Sequence, residues 1–157
     1  MLFGALLKDQ WTTVLSECMR VLKPGGYIQL AEMDISKVIL GGPASRRQSE
    51  LVVEMLKKEG MVYDIAQRLP QMLHDAGFEN IVSELKYGPT GKSWGKMGEL
   101  GTMSNAGAFK RLMPGLVGGG LITDQEMTRV YEESLKEFET MEGTRFVYHM
   151  ICARKPL

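Results

Sequence analysis

Arg20-Val21-Leu22-Lys23-Pro24-Gly25-Gly26-Tyr27-Ile28-Gln29-Leu30 is the stretch that sets the fold class of this chain. Before it, Trp11, Val14, Leu15, Cys18, Val21 and Leu22 recur at three- and four-residue steps, the spacing that gives a helix one buried face. Asp9 stands where it can cap that helix. Lys23-Pro24-Gly25-Gly26 ends it, because proline has no amide hydrogen to continue the ladder and glycine accepts backbone angles closed to other residues. Tyr27-Ile28-Gln29-Leu30-Ala31-Glu32-Met33 is then expected as a mostly buried strand ending at the acidic pair Glu32 and Asp34.

Working outward, Gly41-Gly42-Pro43 marks a loop, and Leu51, Val52, Met55 and Leu56 predict a helix bounded by Gly60. A second helical pattern runs through Val62, Ile65, Ala66, Leu69, Met72, Leu73 and Ala76 to Gly77, with Pro70 expected to kink it or to open a new short helix. Phe78, Ile81, Val82, Leu85 and Tyr87 read as a strand. Four glycines interrupt residues 93–112, where a helix from about Lys96 to Leu112 is expected, and Gly118-Gly119-Gly120 is expected to be a flexible loop. Thr123-Asp124-Gln125-Glu126 fits a capping box that opens a helix with Met127, Val130, Tyr131, Leu135, Phe138 and Met141 on its apolar stripe. Arg145 to Ala153 closes the chain as an apolar and aromatic strand.

In that order of elements, Arg20–Leu30 resembles the helix–turn–strand feature leading into the fifth strand of class I S-adenosylmethionine-dependent methyltransferases. Leu73-His74-Asp75-Ala76-Gly77-Phe78 resembles the turn before the family's sixth strand, and Phe146–Pro156 resembles its closing seventh. The opening Met1-Leu2-Phe3-Gly4-Ala5-Leu6, with Asp9 and Trp11, is similar to fungal methyltransferases of the secondary-metabolism regulator type. The resemblance implies an α/β fold, the C-terminal portion of a Rossmann-like sheet in which Tyr27–Met33, Asn80–Tyr87 and Arg145–Ala153 stand for strands five, six and seven. The reversed seventh strand then lies between the other two, helices flank the sheet, and the family's first four strands are missing, as in a truncated methyltransferase. It also implies S-adenosylmethionine as cofactor, with Leu2, Phe3 and Trp11 on the cofactor side. The family's glycine-rich turn between a strand and a helix has no counterpart here, since Gly118-Gly119-Gly120 follows a helix.

Composition bounds what the chain can do. Hydrophobic residues make up 44% and charged residues 24%, a globular composition consistent with a single domain over residues 1–157. Nineteen basic and nineteen acidic residues cancel without clustering, so neither nucleic acid nor an anionic membrane is an expected partner. Two distant cysteines, Cys18 and Cys152, suit buried thiols in a cytoplasmic, or nuclear, reducing setting.

The candidate catalytic residues are Glu32, as a base at a strand end, and His149, in the last strand. The competing readings are a solvated or capping acid and a core histidine. Asp34 and Trp94 are candidate substrate contacts. Trp11 has an alternative role as an anchor of its helix, and His74 is expected on a surface. The functions in play are methyl transfer to a small-molecule or protein acceptor, a non-catalytic remnant that binds a protein partner or forms a homodimer through its exposed sheet edge, and a cofactor-independent enzyme such as a cyclase.

Overall fold

The computed structural model describes residues 5–157, so the positions of Leu2 and Phe3 lie outside the described residues. Helix α1 (Lys8–Val21) is followed by strand β1 (Tyr27–Ile39), helices α2 (Pro43–Lys58) and α3 (Ile65–Asp75), and strand β2 (Glu79–Pro89). A single 3-10 turn (Lys92–Trp94), helices α4 (Gly95–Gly118) and α5 (Asp124–Thr140) and strand β3 (Arg145–Arg154) complete the chain. The antiparallel sheet has the order β1-β3-β2, so the last strand lies between the first two, as expected. The chain forms two compact units. The first contains the chain up to Asp34, Gly60–Lys86 and Tyr148–Leu157; the second contains Ile35–Glu59 and Tyr87–Val147.

In the first unit, the apolar faces of α1 and α3 meet residues of β3. Trp11 and Leu15 pack with Ile65, Leu69, Leu73, Phe78, Ile151 and Ala153, all buried, and Ile28 and Leu30 of β1 rest against this cluster. Burial of each such aliphatic side chain contributes about 1.5–3 kcal/mol relative to exposure. The two sequence motifs become hydrogen-bonded turns around it. Gly26 N–H donates to the Lys23 carbonyl at 2.9 Å, closing the turn between α1 and β1. The Lys155 ammonium donates to the carbonyls of Met19 and Leu22 at 2.6 and 2.8 Å, so a cation meets the open carbonyls at the end of α1.

The end of α3 has the same local logic. Phe78 N–H donates to the Leu73 carbonyl and Gly77 N–H to the His74 carbonyl, the crossed pair of a Schellman stop, with Gly77 at φ +89°. That backbone angle is accessible to glycine and strained for a residue with a Cβ. The stop brings Leu73 and Phe78 into the same apolar cluster. Pro70 lies inside α3, which continues through it as one helix.

In the second unit, α2 and α5 carry the buried residues Leu51, Val52, Leu56, Met127, Val130 and Phe138, and α4 adds Phe109 and Leu116. A polar seam accompanies this apolar layer. The Glu137 carboxylate accepts the backbone N–H groups of Ala44 and Ser45 at 2.7 and 2.8 Å, satisfying the first turn of α2. Gln48 donates to the Ser134 hydroxyl, which itself donates to the Tyr131 carbonyl at 2.7 Å. Thr123 caps α5 as expected, accepting the Glu126 N–H at 3.3 Å.

Several boundaries differ from the sequence expectations. The first helix starts after Leu7, whose N–H is taken by the Gln10 side chain at 2.8 Å, and Asp9 sits within the first turn instead of capping it. Helix α2 begins at Pro43, whose missing N–H costs nothing at a first helical position. Helix α4 begins where expected and runs past Leu112 to Gly118. Its glycines permit close approach: a Cβ on Gly98 would stand 1.9 Å from the Gly91 carbonyl oxygen, and one on Gly101 2.0 Å from that of Pro89. Gly118-Gly119-Gly120 is an ordered helix end, with Leu121 N–H bonded to the Leu116 carbonyl and Gly120 N–H to that of Val117.

Candidate functional site

The first unit's apolar layer turns polar at one end. Along β1, Ile28, Leu30, Glu32 and Asp34 follow at two-residue steps and therefore share a face, as His149, Ile151 and Ala153 do on β3. Glu32 and Asp34 are only 2% and 1% exposed. The strand passes through the acidic pair to Ile39, so these carboxylates are neither at its end nor solvated in a loop. Their burial requires polar compensation, because an isolated carboxylate in an apolar interior is strongly disfavoured.

Asp34 meets that requirement through partners remote in sequence. Its Oδ2 accepts a hydrogen bond from the Gln67 amide at 3.0 Å and lies 3.7 Å from His149 Nε2. The latter separation is too long for a hydrogen bond and leaves the imidazole beside the carboxylate. The His149 side chain is 13% exposed, and its Nε2 has no hydrogen-bond partner among the described residues. On the opposite face of β3, burial pushes the Tyr148 phenol above its ordinary range. A carboxylate beside an imidazole with an unused nitrogen can take up and release a proton.

The structure thus brings together Asp34 and His149, two of the residues singled out from sequence, on the face that also carries Glu32. Gln67 was missed, since its bond to Asp34 spans 33 positions and nothing in the local pattern of α3 marks it. Trp11 is fully buried in the apolar cluster of the same unit. Trp94 belongs to the second unit and is 40% exposed at the end of the 3-10 turn, followed at three-residue steps by exposed Met97, Leu100 and Met103. His74 is on the surface beside Asp75, as expected. Cys18 and Cys152 are free and half-buried.

Among the described residues, no cluster of His, Cys, Asp and Glu is placed to hold a metal ion, and no helix is long and apolar enough to cross a membrane. Glycine-bearing turns lead from β1 into α2 at Gly41-Gly42 and from β2 into α4 at Gly91 and Gly95, and both are packed against α5: a Cβ on Gly42 would stand 2.3 Å from the Glu137 carboxyl carbon and one on Gly91 2.2 Å from the Phe138 carbonyl oxygen. The one run of three glycines closes a helix.

No protein-family profile matches the chain. Over 68 residues, 43% of its length, it is 37% identical to Methyltransferase psoC of Aspergillus fumigatus. The matched stretch spans 25% of that protein, so the similarity relates the chain to part of a methyltransferase.

Proposed function

We propose that this chain is a methyltransferase-like scaffold whose polar sheet end, Glu32, Asp34 and His149, serves the methyl acceptor. The similarity to a fungal methyltransferase carries the reading. The strand order β1-β3-β2 agrees with assigning these strands to positions five, seven and six of the class I sheet. In this reading His149 Nε2 takes the proton that an acceptor hydroxyl or amine loses as it is methylated. Asp34, held by Gln67, stabilises the imidazolium that results. The acceptor is a small molecule of the kind made in secondary metabolism, and the methyl donor is S-adenosylmethionine.

The test is transfer of radiolabelled methyl from S-adenosylmethionine to a panel of small phenols, carboxylic acids and amines. His149→Ala is expected to lower transfer about 100-fold or more, within the usual contribution of a general base. Equal transfer by His149→Ala overturns the assignment of the base. No transfer by the folded wild-type chain overturns enzymatic action by this chain. That outcome favours a second reading, a non-catalytic remnant that pairs with a copy of itself or with a partner protein. The edge position of β2, with Val82 and Leu85 55% and 50% exposed, supports this second reading. A monodisperse monomer by light scattering at micromolar concentration would exclude the homodimer.

A further inference from the structure

We infer that β2 pairs edge to edge with β2 of a second copy of this chain, antiparallel and centred on Leu85. The inference rests on the homodimer reading, to which it adds a surface and a register, and not on the proton-transfer role of His149.

The backbone of β2 is arranged for such pairing. It is the outer strand in the order β1-β3-β2, and residues 82–87 are all exposed. In an antiparallel ladder successive residues turn their N–H and carbonyl groups alternately toward one neighbour and away from it. Thr90 N–H donates to the Thr144 carbonyl at 3.0 Å, so even-numbered positions turn toward β3 and odd-numbered ones turn outward. Pro89, with no N–H to offer, falls on an outward position, where a strand tolerates it. Leu85 is also outward, with backbone groups set to meet another strand.

The side chains select the register. Glu84 and Lys86 share the face opposite to Leu85, are 59% and 60% exposed, and lie 2.7 Å apart. A two-fold axis at Glu84 or at Lys86 would set like charges directly opposite each other, which destabilises a sheet. An axis at Ser83 would leave both charges facing uncharged residues, Val82 and Asn80. An axis at Leu85 sets Glu84 of each copy opposite Lys86 of the other, at non-hydrogen-bonded positions where facing side chains come closest. The four charges then alternate in sign around the axis. On the other face Leu85, 50% exposed, meets its counterpart, and the two residues exchange a pair of backbone hydrogen bonds.

The test is sedimentation of the full chain from micromolar to submillimolar concentration, with Glu84→Lys and Lys86→Glu as variants. The wild type is expected to dimerise. Each variant sets like charges opposite each other twice per dimer and is expected to keep the circular dichroism spectrum while dimerising about tenfold or more weakly. An equimolar mixture of the two variants restores both attractive contacts and is expected to form a heterodimer about as tight as the wild-type dimer. A wild type that stays monomeric overturns the inference together with the homodimer. A dimer indifferent to either substitution, or a mixture that associates no more tightly than its components, overturns the Leu85 register and leaves the homodimer standing.

Discussion

The two units solve the same problem, joining helices to a sheet, with different chemistry. In the first, α1 and α3 meet the sheet through an almost uninterrupted apolar layer from Trp11 to Ala153, and polar groups gather at one end around Asp34 and His149. In the second, an apolar layer shares its space with a polar seam: Glu137 on the N-terminus of α2, Gln48 on Ser134, and Thr144 donating to the Leu40 carbonyl at 2.9 Å. Apolar burial is non-directional and tolerates small shifts, whereas each buried hydrogen bond fixes a distance and an angle. The first unit should therefore respond mainly to lost volume, and the second to lost or displaced polar and backbone contacts.

The largest expected effect tests the apolar side of that contrast. Leu69 is fully buried in the cluster beneath α3. Leu69→Ala removes its contacts and leaves a cavity, with an expected loss of about 3–4 kcal/mol in chemical denaturation. A loss under about 1 kcal/mol would mean that the first unit does not depend on this layer.

The same contrast explains what was legible in the sequence. Periodic apolar residues and local turn chemistry located α1, α3, α5 and all three strands, because Lys23–Gly26, Leu73–Phe78 and Thr123–Glu126 satisfy their own backbone groups within a few residues. The continuation of β1 through Glu32 and Asp34 was not legible. Two acids signal a strand end unless distant partners receive them, and Gln67 and His149 come from other elements. Of the candidate site, Asp34 and His149 could be named from sequence, while their proximity and the part of Gln67 needed the fold.

The second expected effect concerns α4, which was underestimated because glycine is a poor helix former. Its glycines differ in what surrounds them, and two variants should move stability in opposite directions. Gly101→Ala places a Cβ 2.0 Å from the Pro89 carbonyl oxygen, a backbone atom, and is expected to cost about 2–3 kcal/mol. Gly107→Ala meets nothing within 4 Å and is expected to gain about 0.5–1 kcal/mol by restricting the unfolded chain. Urea midpoints of both proteins check the pair. If both variants destabilise, close approach at Gly101 is not what places glycine in this helix.

The smallest expected effect separates a buried polar seam from ordinary surface electrostatics. Glu137 presents its two oxygens to the N–H groups of Ala44 and Ser45, and the approach is so close that a Cβ on Gly42 would lie 2.3 Å from the carboxyl carbon. A carboxylate there satisfies two open donors at once and sits at the positive end of the α2 dipole. Glu137→Gln keeps the shape and one acceptor, but turns an amide donor toward a backbone donor and removes the charge. The expected cost is about 1–2 kcal/mol, the scale of a lost charge-assisted bond. An exposed pair such as Arg20 with Glu17, both more than half exposed, offers the control. Glu17→Gln should leave the urea midpoint close to that of the wild type, and any small difference should vanish in high salt. If Glu137→Gln proves equally small and salt-sensitive, the second unit is held by its apolar layer alone, and the two units differ in sequence pattern without differing in what stabilises them.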